Sequence, residues 1–452
     1  MQELIKFELS KEFRERFAEA LDIADKAFIK SSLEGVNSAD ISALLSDFNS
    51  EESKYVLSLL PSTVRAEIVC DLDDDIRVKF LKEFTTPELT EIVNHLDSDD
   101  AVDILHELPL KDRELIIAGV ESEEKEAHIV DLLRYEDDVA GGLMAKELIK
   151  ANHNWTVVQC IEEIRRQAED VQKVFSVYVV DDEEKLLGRV SLKRIILAND
   201  RTKIADIYEG DIVSVETYMP EEEVAQVMRK YDLEAVPVVN VQGKLLGRIT
   251  VDDILDIITE TAEEERQLMS GISEDVEEDD SVWMLTRARL PWLVIGVVGG
   301  FISARFIGVF EKELIRVTAI AFFIPLIQAT GGNVGIQSSS IVVQSLANPS
   351  AFADSIFKRL FKVLVIALLN GLVLAAVVYG FNLLSGGEHT LSLVVSIALF
   401  GVVIIASFLG TVTPLILDRF GFNPALASGP FITTTNDLLG LAIYFYTIHL
   451  LL

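Results

Sequence analysis

The sequence predicts a multidomain protein: an all-α, helical-hairpin N-terminal domain, a duplicated α/β pair, a long connecting helix and an all-α polytopic membrane domain. Three observations predict it. Up to Asp280 the chain carries 31 Lys/Arg against 67 Asp/Glu, and from Ser281 onward 9 against 6, so the net −33 divides into −36 and +3. Within the acidic region a stretch repeats at an offset of 59 residues. Beyond it come five apolar stretches, each long enough to cross a hydrocarbon core that takes about 20 helical residues. The domains run 1–136, 137–200 and 201–258 (the two repeats), 259–282 (the connector) and 283–452 (the membrane domain).

Charge sets the first exclusions. A surface carrying −36 repels nucleic acid and anionic lipid and attracts cations through its summed field. The plainer reading is that acidity keeps a bacterial soluble domain in solution. Cys70 and Cys160 are the only cysteines and form no CxxC, which indicates neither a disulfide framework nor a thiolate metal site and fits reduced cytosol. The opening MQELIKFELSKEFRERF lacks the apolar core of a secretory signal, so the N-terminus is expected to stay inside. No nucleophile–base constellation or phosphate-cradling glycine loop is visible, so an enzyme is not expected.

From about Ser38 to Tyr135, Leu, Ile and Val recur at three- and four-residue spacing in short segments separated by acidic punctuation. Pro61, Pro87 and Pro109 fall at or near segment starts, where a helix tolerates proline. A stack of short helical hairpins is expected, an architecture that binds or spaces rather than catalyses.

Between Gly142 and Ile258, SVYVVDDEEKLLGRVSLKRII (176–196) aligns with AVPVVNVQGKLLGRITVDDIL (235–255), each reading strand, polar turn, KLLGR, strand, helix. This duplication resembles a tandem pair of CBS domains, βαββα modules that commonly bind adenosine nucleotides or metal ions as regulators. The resemblance implies nucleotide contacts for Thr250 and Asp253 of the second copy, where the first has Ser191 and Arg194. Thr250 and Asp253 could equally cap an ordinary helix N-terminus.

The connector is charged. Asp252, Asp256, Glu260, Glu263 and Glu264 fall near one side at helical spacing, with few bases four residues away to neutralise them. Either this face is simply solvated, or divalent ions bridge it to another acidic surface, for which Glu67, Asp99 and Asp103 are the candidates.

The five spans are expected at about 291–310, 317–345, 360–384, 390–417 and 425–451. Arg287, Arg289, Lys358, Arg359, Lys362 and Arg419 flank one side and Arg305, Lys312 and Arg316 the other, which favours N-in, C-out. Two segments break the apolar rule. In PLIQATGGNVGIQSSS (325–340), Asn333, two glutamines and runs of Gly and Ser either break the helix beside a cavity or let helices approach closely. In NPALASGPFITTTNDLLG (423–440), Asp437 is the only acid lying within an apolar span rather than at an end or loop. A carboxylate there costs about 3 kcal/mol unless paired or wet, and a hydrated cation is the natural partner.

Together these segments, the YEDDVAGGLM junction (135–144), the CBS pair and the acidic connector resemble the MgtE family of magnesium transporters over nearly the whole chain. The resemblance implies a homodimeric Mg²⁺-selective channel in the bacterial plasma (inner) membrane, closed by cytosolic Mg²⁺. It also implies Mg²⁺ as transported and regulatory ion, and ATP as a candidate ligand of the CBS pair. Its pore acid matches Asp437, with Thr433 and Gly429 one and two turns before it, and Asn333 is assigned to the same path. Its cytosolic sensing acids match Glu67, Asp99, Asp103, Asp252, Asp256, Glu260, Glu263 and Glu264. Asn423 and Gln344 depart from the residues many members carry. The alternatives are a divalent-cation carrier or exchanger, and a membrane-anchored CBS nucleotide sensor.

Overall fold

Ten short helices open the computed structural model, which describes every residue except 1–8, 73, 168–175, 275, 277–279, 348–355 and 428. They are Lys11–Asp22 (α1), Lys26–Leu33 (α2), Ser38–Leu45 (α3), Ser50–Ser58 (α4), Ser62–Cys70 (α5), Asp74–Leu81 (α6), Thr86–His95 (α7), Ser98–His106 (α8), Leu110–Ile117 (α9) and Glu123–Leu132 (α10). Their starts are written in the sequence: Ser10, Asp25, Asn37, Asn49 and Ser122 accept backbone amides of the first turn. Pro61 and Pro109 sit at N-caps and Pro87 within the first turn of α7. Packing skips one helix: α3 lies on α5, α5 on α7, α7 on α9, and likewise α4 on α6 and α8 on α10. That alternation is the two-layered stack expected of a solenoid. Its core is a continuous apolar seam that includes Phe17, Ile41, Leu57, Ile68, Ile92 and Leu105.

Two three-stranded sheets follow. Ile149–Asn152 (β1), helix Val157–Gln167 (α11), Val177–Val180 (β2), Leu186–Val190 (β3) and helix Leu192–Leu197 (α12) form the first module. Val215–Glu216 (β4), helix Glu221–Tyr231 (α13), Ala235–Val239 (β5), Leu245–Thr250 (β6) and helix Val251–Met269 (α14) form the second. In each, the first strand pairs parallel with the second and the second antiparallel with the third. The modules meet about a local two-fold: Leu186 donates its amide to Gly243, and Leu245, 59 residues after Leu186, donates to Glu184, both at 3.0 Å. Gly188 and its counterpart Gly247 face the carbonyls of Glu209 and Ala145, where a β-carbon would collide.

The remaining helices are Val282–Val309 (α15), Glu311–Arg316 (α16), Ile324–Ala347 (α17), Ile356–Leu384 (α18), His389–Arg419 (α19) and Gly429–Leu451 (α20). By contacts the chain divides into Met1–Ile258 and Thr259–Leu452. In the second unit α19 is the buried centre, packed by α17, α18 and α20, with α15 on α20. α15 and α18 turn Leu293, Val297, Phe301, Leu369 and Leu372 outward, a surface suited to lipid.

Four helical stretches, Val282–Val309, Thr318–Leu346, Phe357–Leu384 and His389–Arg419, are long and apolar enough to cross a membrane. α20, the segment expected as the fifth, is 23 residues long and carries Asn436 and Asp437 in its first half, which lowers its mean hydropathy. Two details differ from expectation. The connecting helix stops at Met269 rather than running towards 282, because Gly271 takes a left-handed turn (φ 80°) ahead of an acidic run. And α17 runs unbroken through PLIQATGGNVGIQSSS, so its glycines serve packing rather than a break.

Candidate functional site

Within the second unit the polar segments of α17 and α20 face one another. α20 begins at Gly429, whose φ of 56° suits glycine. The Thr433 hydroxyl donates to the Gly429 carbonyl at 2.9 Å, and Asp437 follows one turn later on the same side. A β-carbon on Gly332 of α17 would stand 3.1 Å from the Thr433 methyl and 3.9 Å from Asp437 Oδ1. Gly429, Thr433 and Asp437 thus form one line along α20, and the bare backbone at Gly332 lets α17 approach it. Asp437 is half-buried, and among the described residues no donor or cation of the chain engages its carboxylate. Arg305 of α15 is exposed and stacks over Phe301 at 5.4 Å. Asn333 points outward, away from the buried helix contacts.

The start of α20 is clamped. Ser339 donates its hydroxyl to the Ala427 carbonyl at 3.2 Å. The end of α14 leans on the same place: a β-carbon on Gly271 would lie 2.7 Å from Pro430, and one on Gly429 would strike the Met269 carbonyl. Asn423 accepts the Ala425 amide at 2.9 Å, so it shapes the turn before α20, while Gln344 is exposed.

In the first unit a carboxylate cluster assembles from distant sequence. Burial raises Asp99 well above the usual carboxylate range, and Asp100, Asp253, Glu147 and Asp97 add to it. Burial, reinforced by Glu147, pushes Asp97 up to about 6, with Arg248 and Lys125 opposing. Asp100 is raised by burial and by Asp103, Asp97 and Asp253. Asp253 is raised by burial, against hydrogen bonds from Thr250, and further by Asp252 and Asp256. Glu147 behaves differently: although burial raises it, hydrogen bonds from His128 and Ser98 hold it low. Sequence reading named Asp99, Asp103, Asp252 and Asp256 but missed Asp97, Asp100 and Glu147. The run DSDD (97–100) at the start of α8 was the available signal. Glu67, Asp103, Asp252, Asp256, Glu260, Glu263 and Glu264 are exposed, and Glu263 pairs with Arg266 at 3.5 Å. Among the described residues no three His, Cys, Asp or Glu side chains are drawn together as a ready metal site.

Thr250 and Asp253 lie side by side at the start of α14. The Thr250 amide and hydroxyl donate to Asp253 at 3.0 and 2.9 Å, which closes the pair on itself as a helix start. One cavity of the α/β pair lies apart from them. Roughly 270 Å³ in volume, it is lined by Tyr178, Arg189, Asp211, Tyr231, Ala235 and Pro237 among others, and excludes both residues. Its two tyrosine rings suit a planar ring, and Arg189 there already faces Glu209 at 3.8 Å.

Comparison with known proteins agrees with this layout. Residues 324–447 match a family model described as a divalent cation transporter, 36–138 the MgtE intracellular N domain, and 139–200 and 204–260 the CBS domain. The chain is 33% identical over 438 residues to the magnesium transporter MgtE of Thermus thermophilus, covering 96% of this chain and 97% of that protein. It is 38% identical over 327 residues to that of Enterococcus faecalis, covering 71% of each. Among solved structures, the cytosolic domain of the Mg²⁺ channel MgtE in complex with ATP superposes with a TM-score of 0.50 at 34% identity, over 53% of this chain and 98% of that one. The soluble part of a magnesium transporter superposes with the same score at 28% identity, over 56% of this chain and 99% of that one. With its helical N-terminal domain, CBS pair and polytopic helical domain in that order, the chain belongs to the MgtE family of transporters.

Proposed function

We propose that the chain is a homodimeric, Mg²⁺-selective channel or transporter for magnesium uptake, seated in the bacterial plasma membrane with five spans per subunit. The N-terminus lies in the cytosol and the C-terminus outside, as the basic residues flanking the spans favour. The observation that carries this reading is Asp437, a half-buried carboxylate with no protein partner among the described residues, on a helix otherwise apolar enough to pack in a membrane core. At 23 residues α20 is long enough to cross a hydrocarbon core, and it is the proposed fifth span.

The chemistry follows from the ion. Mg²⁺ dehydrates reluctantly and takes one or two carboxylates while keeping several waters. A two-fold axis would set two copies of Asp437 about one path, enough charge to replace some of a hydration shell and weak enough to release the ion. The clamp of Met269, Gly271 and Pro430 on the start of α20 gives the connector a handle on that path.

The acidic surfaces supply the control. Carboxylates that raise one another's proton affinity, as Asp97, Asp99, Asp100 and Asp253 do, would also be relieved by a divalent cation. Hard oxygen donors fit Mg²⁺ and suit an ion that keeps its waters. Cytosolic Mg²⁺ bound among these acids and those of Glu67, Asp103 and the α14 face would favour a closed arrangement, and its scarcity would release it. ATP, which a cytosolic-domain relative holds, is the ligand proposed for the CBS pair, with the rings of Tyr178 and Tyr231 as surfaces for its base.

The test is Mg²⁺ flux into liposomes carrying the purified chain. Wild type should conduct and Asp437→Asn should lose nearly all flux while remaining dimeric; undiminished flux in the variant would sink the assignment.

A further inference from the structure

The α17–α20 seam contains a second polar group that the ion path does not use. Asn436 is 2% exposed, and among the described residues neither its amide nitrogen nor its oxygen has a hydrogen-bond partner. It sits in a cradle of glycine. A β-carbon on Gly335 would collide with its side-chain nitrogen, and one on Gly331 would lie 3.6 Å from its backbone oxygen. On the far side, Gly410 of α19 is pressed against the Gly335 carbonyl. Ile432, Asn436 and Gly440 form the buried stripe of α20, and Thr433 and Asp437 the stripe beside it.

An unpaired buried amide works against the seam that holds it, because both its polar atoms have given up water for nothing. Leucine has nearly the same shape and would fill the cradle without that penalty. When α17 and α20 separate, water or freed backbone reaches the amide and the penalty is returned. The cost therefore falls on the packed arrangement alone, and only a group that distinguishes two arrangements can shift the balance between them.

We propose that Asn436 is a positioning residue that keeps the α17–α20 seam openable, so that the line of Thr433 and Asp437 can move away from Gly332 as ions pass. This rests on the reading of Asp437 as the pore carboxylate. The residue acts on how readily the seam opens, not on the ion, which separates it from Asp437 in an experiment.

Asn436→Leu in the full-length chain, assayed in liposomes, should raise the thermal midpoint by several degrees and lower maximal Mg²⁺ flux at least threefold. The half-saturating Mg²⁺ concentration and the Mg²⁺-to-Mn²⁺ flux ratio should stay at wild-type values. Gly335→Ala, which wedges a methyl group against the amide, should shift maximal flux the opposite way. Unchanged maximal flux in Asn436→Leu overturns the proposal. So does a changed half-saturation or ion preference, which would make Asn436 an ion ligand. If Asn436→Leu does not fold, Asn436→Ala is judged by the same flux criteria. Asp437→Asn run in parallel keeps the two ideas apart: full flux there overturns the pore assignment, whereas lost flux there with wild-type behaviour of Asn436→Leu overturns only this one.

Discussion

The carbonyl oxygen of Met269, at the last turn of α14, occupies the space that a β-carbon on Gly429, the first residue of α20, would need. Connector and last helix can meet there only because residue 429 is glycine, and its φ of 56° disfavours any other residue as well.

Gly429→Ala should therefore uncouple the two. Liposomes loaded with high internal Mg²⁺ should show severalfold more residual flux through the variant than through wild type, with little change when internal Mg²⁺ is low. Equal suppression of both proteins by internal Mg²⁺ would remove the contact from the gate.

The glycines of the CBS pair separate two kinds of constraint. Gly247→Ala puts a methyl group 2.8 Å from the Met144 sulfur and 2.7 Å from the Ala145 carbonyl, and the second contact only backbone movement relieves. It should cost about 2 kcal/mol or more. Gly243→Ala meets nothing within 4 Å but keeps a φ of 80°, so it should cost only about 1 kcal/mol. Thermal unfolding of both variants measures the difference, and equal losses would contradict the steric account.

Much of this was legible in the sequence, and the reasons are local. The KLLGR repeat showed the CBS pair because both copies keep one register, down to the glycine at the chain crossing. Asp437 stood out because a single charge in apolar surroundings has no ordinary explanation. Asn436, its neighbour, did not: an uncharged amide raises no alarm until the three-helix crossing shows that nothing among the described residues answers it. Asp97 and Asp253 are separated by most of two domains, and no periodicity reports that they repel each other. The unbroken α17 was half-legible, since the same glycines permit a break or a close approach, and only the facing Thr433 and Gly410 decide between them.

The cysteines give a simple check on the packing of the first unit. Burial, with Asp100 next, raises the Cys70 thiol well above its ordinary value, and burial with Glu163 pushes Cys160 up to about 11. The thiolate is the reactive form, and at pH 7.5 a group of that pKa is ionised on the order of once in a few thousand molecules. Iodoacetamide should leave both residues unmodified in the native protein, as read by mass spectrometry, and alkylate both in denaturant. Rapid native labelling of Cys160 would mean that its surroundings are looser than its burial implies.

Asp253 offers the sharpest test of the acidic surface as a magnesium gauge. In chelator its charge faces Asp99, Asp97 and Asp100 unrelieved, so removing it should stabilise the fold rather than weaken it. The opposing loss is the start of α14, where Thr250 donates to Asp253, and an asparagine oxygen can still accept that amide. Asp253→Asn should therefore raise the thermal midpoint in chelator and shrink the further rise that millimolar Mg²⁺ gives wild type, since ligand binding stabilises only in proportion to its affinity for the folded state. Exposed Glu67→Gln should leave the stability in chelator within about 0.5 kcal/mol of wild type, the ordinary range for surface changes. A full Mg²⁺ shift in Asp253→Asn would place the ion elsewhere, and a lowered midpoint in chelator would mean that the helix start outweighs the repulsion.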